Sequence, residues 1–321
     1  MRRGVAQLAA RCVWDAEVGG SSPPTPTFFI YGTILLRPKN LTSYLTILSF
    51  FMSCQPMPAE TTPAPPETEN KPIGSTNPPT ATPEYWVPSL NSQFQIQLSD
   101  YPPDIDLNAD IFELDLFETK PEAIRYLHER GKKVICYFNA GAWEEYRPDA
   151  DQFAQEVIGK PYIGWPGEKW LDVGSFATFA DLMTARLDLA VDKGCDGIDP
   201  DNVNGYQQPT GFDITAQDQL AYNIWLSEQA HQRGLAIGLK NCGEQVGALI
   251  DHFDFAVIED CDFYGECSQY LPFIEVGKAV YQIEYTDRAG SLARICESSR
   301  SFGFQILLKN RGLDASVTYC P

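Results

Sequence analysis

Histidine is nearly missing from this chain, whose 321 residues hold three: His128, His231 and His252. Two of them close amphipathic segments (HERG and HQRG) and the third falls between a helix-like and a strand-like stretch, so each reads as a capping or solvated residue. A Ser-His-Asp mechanism therefore lacks its base. With no CxxC pair either, a zinc site has few ligands to draw on, and no metal or cofactor is expected. No GxxxxGK[ST] is present for phosphate transfer, and no GxGxxG follows the first strand-like run, which argues against nucleotide binding. Basic charge is scarce: 24 Lys and Arg stand against 43 Asp and Glu, for a net charge of −19. Residues 1–88 hold six of each sign, so the entire excess lies beyond them. Nucleic acid, which needs a basic face, is not the expected partner. The excess either keeps an exported protein soluble or draws a cationic ligand to an acidic cleft.

Long hydrophobic runs are also missing. The stretch LTSYLTILSFFM, residues 41–52, is 12 residues without a charge, too short to span a bilayer comfortably. Arg37 and Lys39 precede it, and Ser53 and Cys54 follow. That order of basic, apolar and small residues matches an export signal. It is similar to a bacterial lipoprotein signal with Cys54 as the lipidated residue, although Phe51-Met52-Ser53 is a loose lipobox. Upstream, MRRGVAQLAARCVWDAEVGGSSPPTPT resembles a translated transfer-RNA gene, and residues 1–34 are read as a spurious or disordered extension. Residues 35–54 form the signal segment. Residues 55–88 are dominated by Pro, Thr and Glu with almost no aliphatics, a disordered tether that cannot offset its ordering entropy by burial. An extracytoplasmic protein, secreted or anchored at a membrane surface, is expected.

Nine cysteines occur, and export permits disulfides. Cys261 with Cys267 and Cys296 with Cys320 are candidate pairs by spacing, whereas Cys136 and Cys195, in apolar contexts, read as buried thiols.

From residue 89 to 321 one pattern recurs. An amphipathic segment ends in Gly and an apolar run follows: HERG then KKVICYF, VDKG then CDGID, HQRG then LAIGLK, IEVG then KAVYQIEY. Glycine past a helix supplies the left-handed cap, and an apolar run buried on both faces reads as a parallel strand. Strand-like runs fall at 94–98, 111–116, 133–138, 196–199, 235–239, 254–259, 279–284 and 304–309. A further short run at 169–173 reads as a loop excursion. Eight strands alternating with helices predict a (β/α)8 barrel of the TIM type, with a doubly wound sheet as the alternative.

Polar residues gather at the ends of these runs: Ser99, Asp100, Asp115, Asn139, Asp199, Asp201, Asn202, Lys240, Asn241, Glu259, Glu284 and Lys309. In barrel enzymes that face performs the chemistry. With histidine set aside, carboxylates remain, and two of them flanking a sugar ring suffice to break a glycosidic bond. Asp201, in the motif GIDPDN, and Glu259 are the best placed. One strand separates theirs, which puts the backbones about 10 Å apart. A calcium loop fails on spacing, since Val203, Asn204 and Thr210 stand where ligands, glycine and glutamate are required. Helix capping by Asp201 or Asn202, and an ion pair of Glu259 with Lys240 or Lys309, are the structural alternatives. Trp143, Tyr146, Trp165, Trp170, Tyr206 and Tyr264 supply aromatic faces for sugar rings or cations, or belong to the core.

The succession FQIQLSD, FELDLFET, KKVICYFNAGAWE, WLDVGS, GCDGIDPDNVNGY, GLKNCGE, FDFAVIEDC, VYQIEYTD and ILLKN, over about residues 93–320, resembles glycoside hydrolase family 114, the endo-α-1,4-polygalactosaminidases. The resemblance implies a (β/α)8 barrel cleaving α-1,4-linked galactosamine polymers of exopolysaccharide, with Asp201 and Glu259 as the catalytic pair. We expect Asp201 to act as nucleophile and Glu259 as acid/base. Asp115, Tyr137, Asn139, Asp199, Asn202, Tyr206, Lys240, Glu284 and Lys309 are the expected substrate-binding set. Three positions depart from the family: Asn204 replaces a carboxylate in DPDNVDGY, and Ile258 and Asp260 flank Glu259 where polar neighbours are usual. Both flanking residues are expected to raise the pKa of Glu259. A polysaccharide-binding protein without activity on the same barrel, or a hydrolase of another α-linked glycan, are the alternatives.

Overall fold

The computed structural model describes residues 85–320. The spurious-extension, signal and lipidation readings, Cys54 included, and most of the linker lie outside the described residues. Twelve strands run in chain order: β1 Phe94–Gln97, β2 Ile111–Asp115, β3 Lys133–Asn139, β4 Ala142–Glu144, β5 Ile158–Pro161, β6 Glu168–Leu171, β7 Gly197–Asp201, β8 Ala236–Lys240, β9 Phe255–Glu259, β10 Ala279–Tyr285, β11 Gln305–Lys309 and β12 Thr318–Tyr319. The helices are α1 Pro121–His128, α2 Ala180–Lys193, α3 Ala216–Gln232, α4 Val246–Leu249, α5 Cys261–Tyr264, α6 Leu271–Glu275 and α7 Leu292–Phe302. None of them is long and apolar enough to cross a membrane.

Eight of the strands pair in parallel in the order β1-β2-β3-β7-β8-β9-β10-β11. All eight coincide with the apolar runs of the sequence, shifted by a residue or two at their ends. The predicted barrel holds, with two departures from strict repetition. No helix intervenes between β1 and β2. The seam between β11 and β1 is closed by the C-terminal segment: β12 pairs antiparallel with β11, while Leu98 N donates to Leu313 O at 2.8 Å and Gln95 Nε2 to Ala315 O at 3.0 Å.

Glycine caps act as expected. Gly194 ends α2 with φ +89°, a conformation that costs an L side chain energy and glycine nothing. At the other end of the next repeat, α3 begins with a capping box: Asp218 N donates to Thr215 Oγ1 while Thr215 N donates to Asp218 Oδ2.

Strand alternation splits the core into two layers. Phe94, Ile96, Ile111, Ile135, Ala236, Phe255, Val257, Tyr281, Ile283 and Leu307 fill the barrel interior. The alternate residues, such as Phe112, Leu114, Val134, Ile198, Ile237 and Ile258, pack against the helices. Gly238 is required inside the barrel because the Phe255 ring occupies its side-chain space: a Cβ there would stand 2.4 Å from the ring.

The lower face is stabilised by aspartates at strand starts. Asp196 accepts from Val134 N and Lys133 Nζ and pairs with His128. Asp254 accepts from Ile237 N and Tyr85 OH and pairs with His231. Both histidines therefore lie at the end of the barrel opposite the acids.

Cys261–Cys267 and Cys296–Cys320 are bonded as the spacing indicates. Cys136 and Cys195 are not thiols but a third disulfide. Their separation of 59 residues hides the adjacency that parallel pairing of β3 and β7 creates, with Cα atoms 5.9 Å apart. Cys242 is the free cysteine among the described residues, and it is buried.

Candidate active site

The excursion after β3 is a three-stranded antiparallel sheet, β4-β6-β5, which contains the predicted extra run near residue 169. A cavity of about 400 Å³ is lined by Trp143, Tyr162, Trp165 and Glu168 of this segment, among others. Trp165 is 40% exposed and Tyr146 54% exposed, whereas Trp170 is buried and meets Tyr162 edge-on.

At the mouth of the barrel, alternation aims Tyr137 and Asn139 of β3, Asp199 and Asp201 of β7, Lys240 of β8 and Glu259 of β9 inward. The backbone turns sharply just past three of these strands. Asn202, Asn241 and Asp260, immediately after Asp201, Lys240 and Glu259, all adopt left-handed φ between +51° and +63°. Asn and Asp tolerate that conformation best among residues with a Cβ. Each of these strands thus stops at an inward-facing charged side chain. The turn after β7 is pinned from outside: Gly141 packs so closely that a Cβ would sit 1.8 Å from Asn202 O.

Lys240 is the hub. It is 2% exposed, its Nζ donates to Asp199 Oδ2 at 3.0 Å and lies 3.8 Å from Asp201 Oδ1. Burial works against its charge, but Asp199, then Asp201 and Glu259, outweigh burial and hold its pKa well above the usual lysine range. The two acids of interest keep a path to water, Asp201 with a side chain 20% exposed and Glu259 half-buried. Each has a tyrosine partner. Tyr137 OH donates to Asp201 Oδ2 at 2.8 Å and Tyr285 OH donates to Glu259 Oε1. Burial, then the neighbouring carboxylate, pushes both phenols well above their ordinary pKa, so they remain donors. Tyr162 of the excursion also feels Asp201 and Glu259. Asp201 and Glu259 therefore act on one lysine and one tyrosine.

Ile258 points to the helix layer by alternation, and Asp260 is held by Arg288 at 3.3 Å and Arg311 at 2.8 Å.

Several expected binding residues are engaged by protein partners. Asp115 is held by Arg147 through two bonds of 3.0 and 2.7 Å. Asn139 Oδ1 accepts from Ala142 N at 2.7 Å and from Asn202 Nδ2 at 3.0 Å, so both asparagines brace the loop. Glu284 faces the helix layer, accepting from Asp262 N and Gln282 Nε2, and burial lifts it to about 7. Lys309 reaches Asp314 O and Gln95 Oε1 at the barrel seam. Tyr206 stands half-buried at the rim, its hydroxyl 3.3 Å from Glu244. Cys261, Cys267 and Glu284 bring ligand atoms within 4.8 Å of one another, but the two sulfurs are joined in a disulfide and are not thiolates.

Three acids escaped the sequence reading. Glu144 and Glu168 belong to the excursion, and Glu113 sits in the middle of β2, wholly buried. A charge inside the otherwise apolar FEL stretch was the available signal for Glu113.

The family model for glycoside-hydrolase family GH114 matches residues 75–321. Among solved structures, Ega3 of Aspergillus fumigatus in complex with galactosamine is 38% identical, with a TM-score of 0.68 over 74% of this chain and 100% of that one. The glycoside hydrolase domain of PelA from Pseudomonas aeruginosa is 16% identical, with a TM-score of 0.57 over 71% of this chain and 98% of that domain, a likeness of fold. Comparison with curated proteins returns no match.

Proposed function

The chain belongs to glycoside-hydrolase family GH114, and from that premise we propose an endo-acting hydrolase of α-1,4-linked galactosamine polymers that works through Asp201 and Glu259. The observation behind it is that Asp201 and Glu259 end β7 and β9 on either side of β8, facing inward at one end of the barrel, with Lys240 of β8 3.8 Å from Asp201 and within the electrostatic reach of Glu259. Glu259 protonates the glycosidic oxygen while Asp201 attacks the anomeric carbon, and Glu259 then takes a proton from the water that releases the sugar. Tyr137 and Lys240 orient Asp201. Tyr285 fixes Glu259. Asp199 acts through Lys240, and Tyr206 offers a ring at the rim. A galactosamine polymer with free amines is a polycation, which matches the net charge of −19. The galactosamine bound to the relative Ega3 supports the same choice of sugar.

Incubation with partially deacetylated galactosaminogalactan should yield short oligomers. Asp201→Asn and Glu259→Gln should each fold and lose hydrolysis by several orders of magnitude. Wild-type turnover in either variant removes that residue from the mechanism. We also propose export and lipid anchoring at Cys54; loss of detergent-phase partitioning in Cys54→Ala is the expected result, and unchanged partitioning rejects the anchor.

A further inference from the structure

Glu113 of β2 and Asp199 of β7 are both fully buried inside the barrel. No donor among the described residues reaches either oxygen of Glu113 or Oδ1 of Asp199. The two carboxyl groups lie against each other. Two facing carboxylates in a dry interior repel, and unpartnered buried charges of this kind are strongly unfavourable. One proton between them removes the repulsion and supplies the missing hydrogen bond at once.

The geometry points to a proton held permanently between Glu113 and Asp199, which makes un-ionised Glu113 a positioning residue for the catalytic centre. Glu113 donates to Asp199 Oδ1, leaving Oδ2 free for Lys240 at 3.0 Å. Lys240 is thereby kept between Asp199 and Asp201. If Glu113 ionised, β2 would present a second negative charge from below, and Lys240 would be drawn down and away from Asp201.

The charged groups acting on Glu113 are Asp199 of β7, Lys240 of β8 and Glu259 of β9. Asp115, the next inward residue of β2, is neutralised by Arg147. Burial first, then Asp199, raises the Glu113 pKa well above the carboxylate range, and Lys240 only partly opposes this. The inference rests on the role proposed for Asp201, but its first test does not.

That test is isotope-edited infrared spectroscopy of protein labelled in its glutamate carboxyls. Burial lifts Glu168 to about 8 and Glu284 to about 7, so an un-ionised glutamate band persisting roughly one unit above the higher value belongs to Glu113. We expect that band in the wild-type protein and its loss in Glu113→Gln. Its absence from the wild type overturns the proposal whether or not any polymer is cleaved. Kinetics supply the second arm. Glu113→Gln keeps a neutral donor and should retain kcat, whereas Glu113→Leu should lower kcat about 10²-fold with KM little changed, the scale of a small displacement of a reacting group. Equal kinetics in the Gln and Leu variants, or an inactive but folded Gln variant, reject the positioning role. If Glu113→Gln fails to fold, the wild-type band alone decides.

Discussion

Tyr137 of β3 donates its phenolic hydrogen to Asp201 Oδ2 at 2.8 Å, and the same ring lies 5.2 Å from the Lys240 ammonium. One side chain thus orients the proposed nucleophile and faces its counter-ion. A hydrogen bond to a carboxylate is about twice as strong as a neutral one. In Tyr137→Phe the ring persists and the donor is lost. We expect kcat on the galactosamine polymer to fall about 10- to 100-fold with the fold intact, the effect of a charge-assisted bond. Steady-state kinetics beside circular dichroism measure it, and an unchanged kcat shows that Asp201 is oriented by other contacts.

Lys240→Met should destabilise as well as inactivate. The methionine chain fills the same space, but Asp199 is 0% exposed and would be left without its cation. Removing one partner of a buried pair costs about 3–5 kcal/mol. Part of that cost disappears if Asp199 binds a proton, so the loss should shrink as pH falls. Denaturant unfolding of both proteins across pH checks this. A constant difference indicates that Asp199 never protonates in the variant.

Most of the barrel was legible because its signals are local. Each buried parallel strand is an apolar run, and the helices before β3, β7, β8, β10 and β11 are followed by a glycine, α4 before β9 being the exception. Asp201 and Glu259 were legible for the same reason, since both stand at the ends of such runs. Which partner a polar residue finds is not local. Asp115 looked free because its cation, Arg147, comes from an excursion 32 residues away. Glu284 looked available because a strand end tells nothing of which face a side chain takes until the register is known. The Cys136–Cys195 bond and the β12 closure depend likewise on pairing across the sheet. Glu113 was hidden in the opposite way: its strand was recognised, but a carboxylate inside it has meaning only beside Asp199 and Lys240.

The Cys136–Cys195 disulfide joins β3 to the segment entering β7, the two strands that bear Tyr137 and Asp201. It closes 59 residues that include the whole β4–β6 excursion. Loop-closure entropy for that length predicts a contribution of about 4 kcal/mol. The double variant Cys136→Ala, Cys195→Ala should lose stability of that order. Two small cavities between sheet and helices would add to the loss. Thermal unfolding of the oxidised protein and the variant tests it, and equal midpoints show that the bond constrains nothing in the unfolded chain.

Tyr146 OH lies 2.9 Å from both Glu144 Oε1 and Glu168 Oε1. A phenol has one hydrogen, so one of the two contacts needs a proton on the carboxyl side. Burial, and after it the charge of Glu144, lifts Glu168 from 4.5 to about 8, which makes Glu168 the holder of that proton at neutral pH. The sign of the pH dependence follows. Between 4.5 and about 8 the folded chain keeps this proton while the unfolded chain has released it. Stability from Glu168 is therefore complete below the lower value and is lost as pH rises through the upper one. Glu284, raised to about 7, acts in the same direction. Glu168→Gln replaces the un-ionised acid with an amide that cannot titrate. We expect its stability to fall less steeply over this range, and on the alkaline side to exceed that of the wild type by on the order of 2 kcal/mol. Chemical denaturation on either side of the window measures the difference. Parallel profiles for the two proteins place the proton elsewhere, because a Glu168 that ionises as freely folded as unfolded cannot make stability depend on pH.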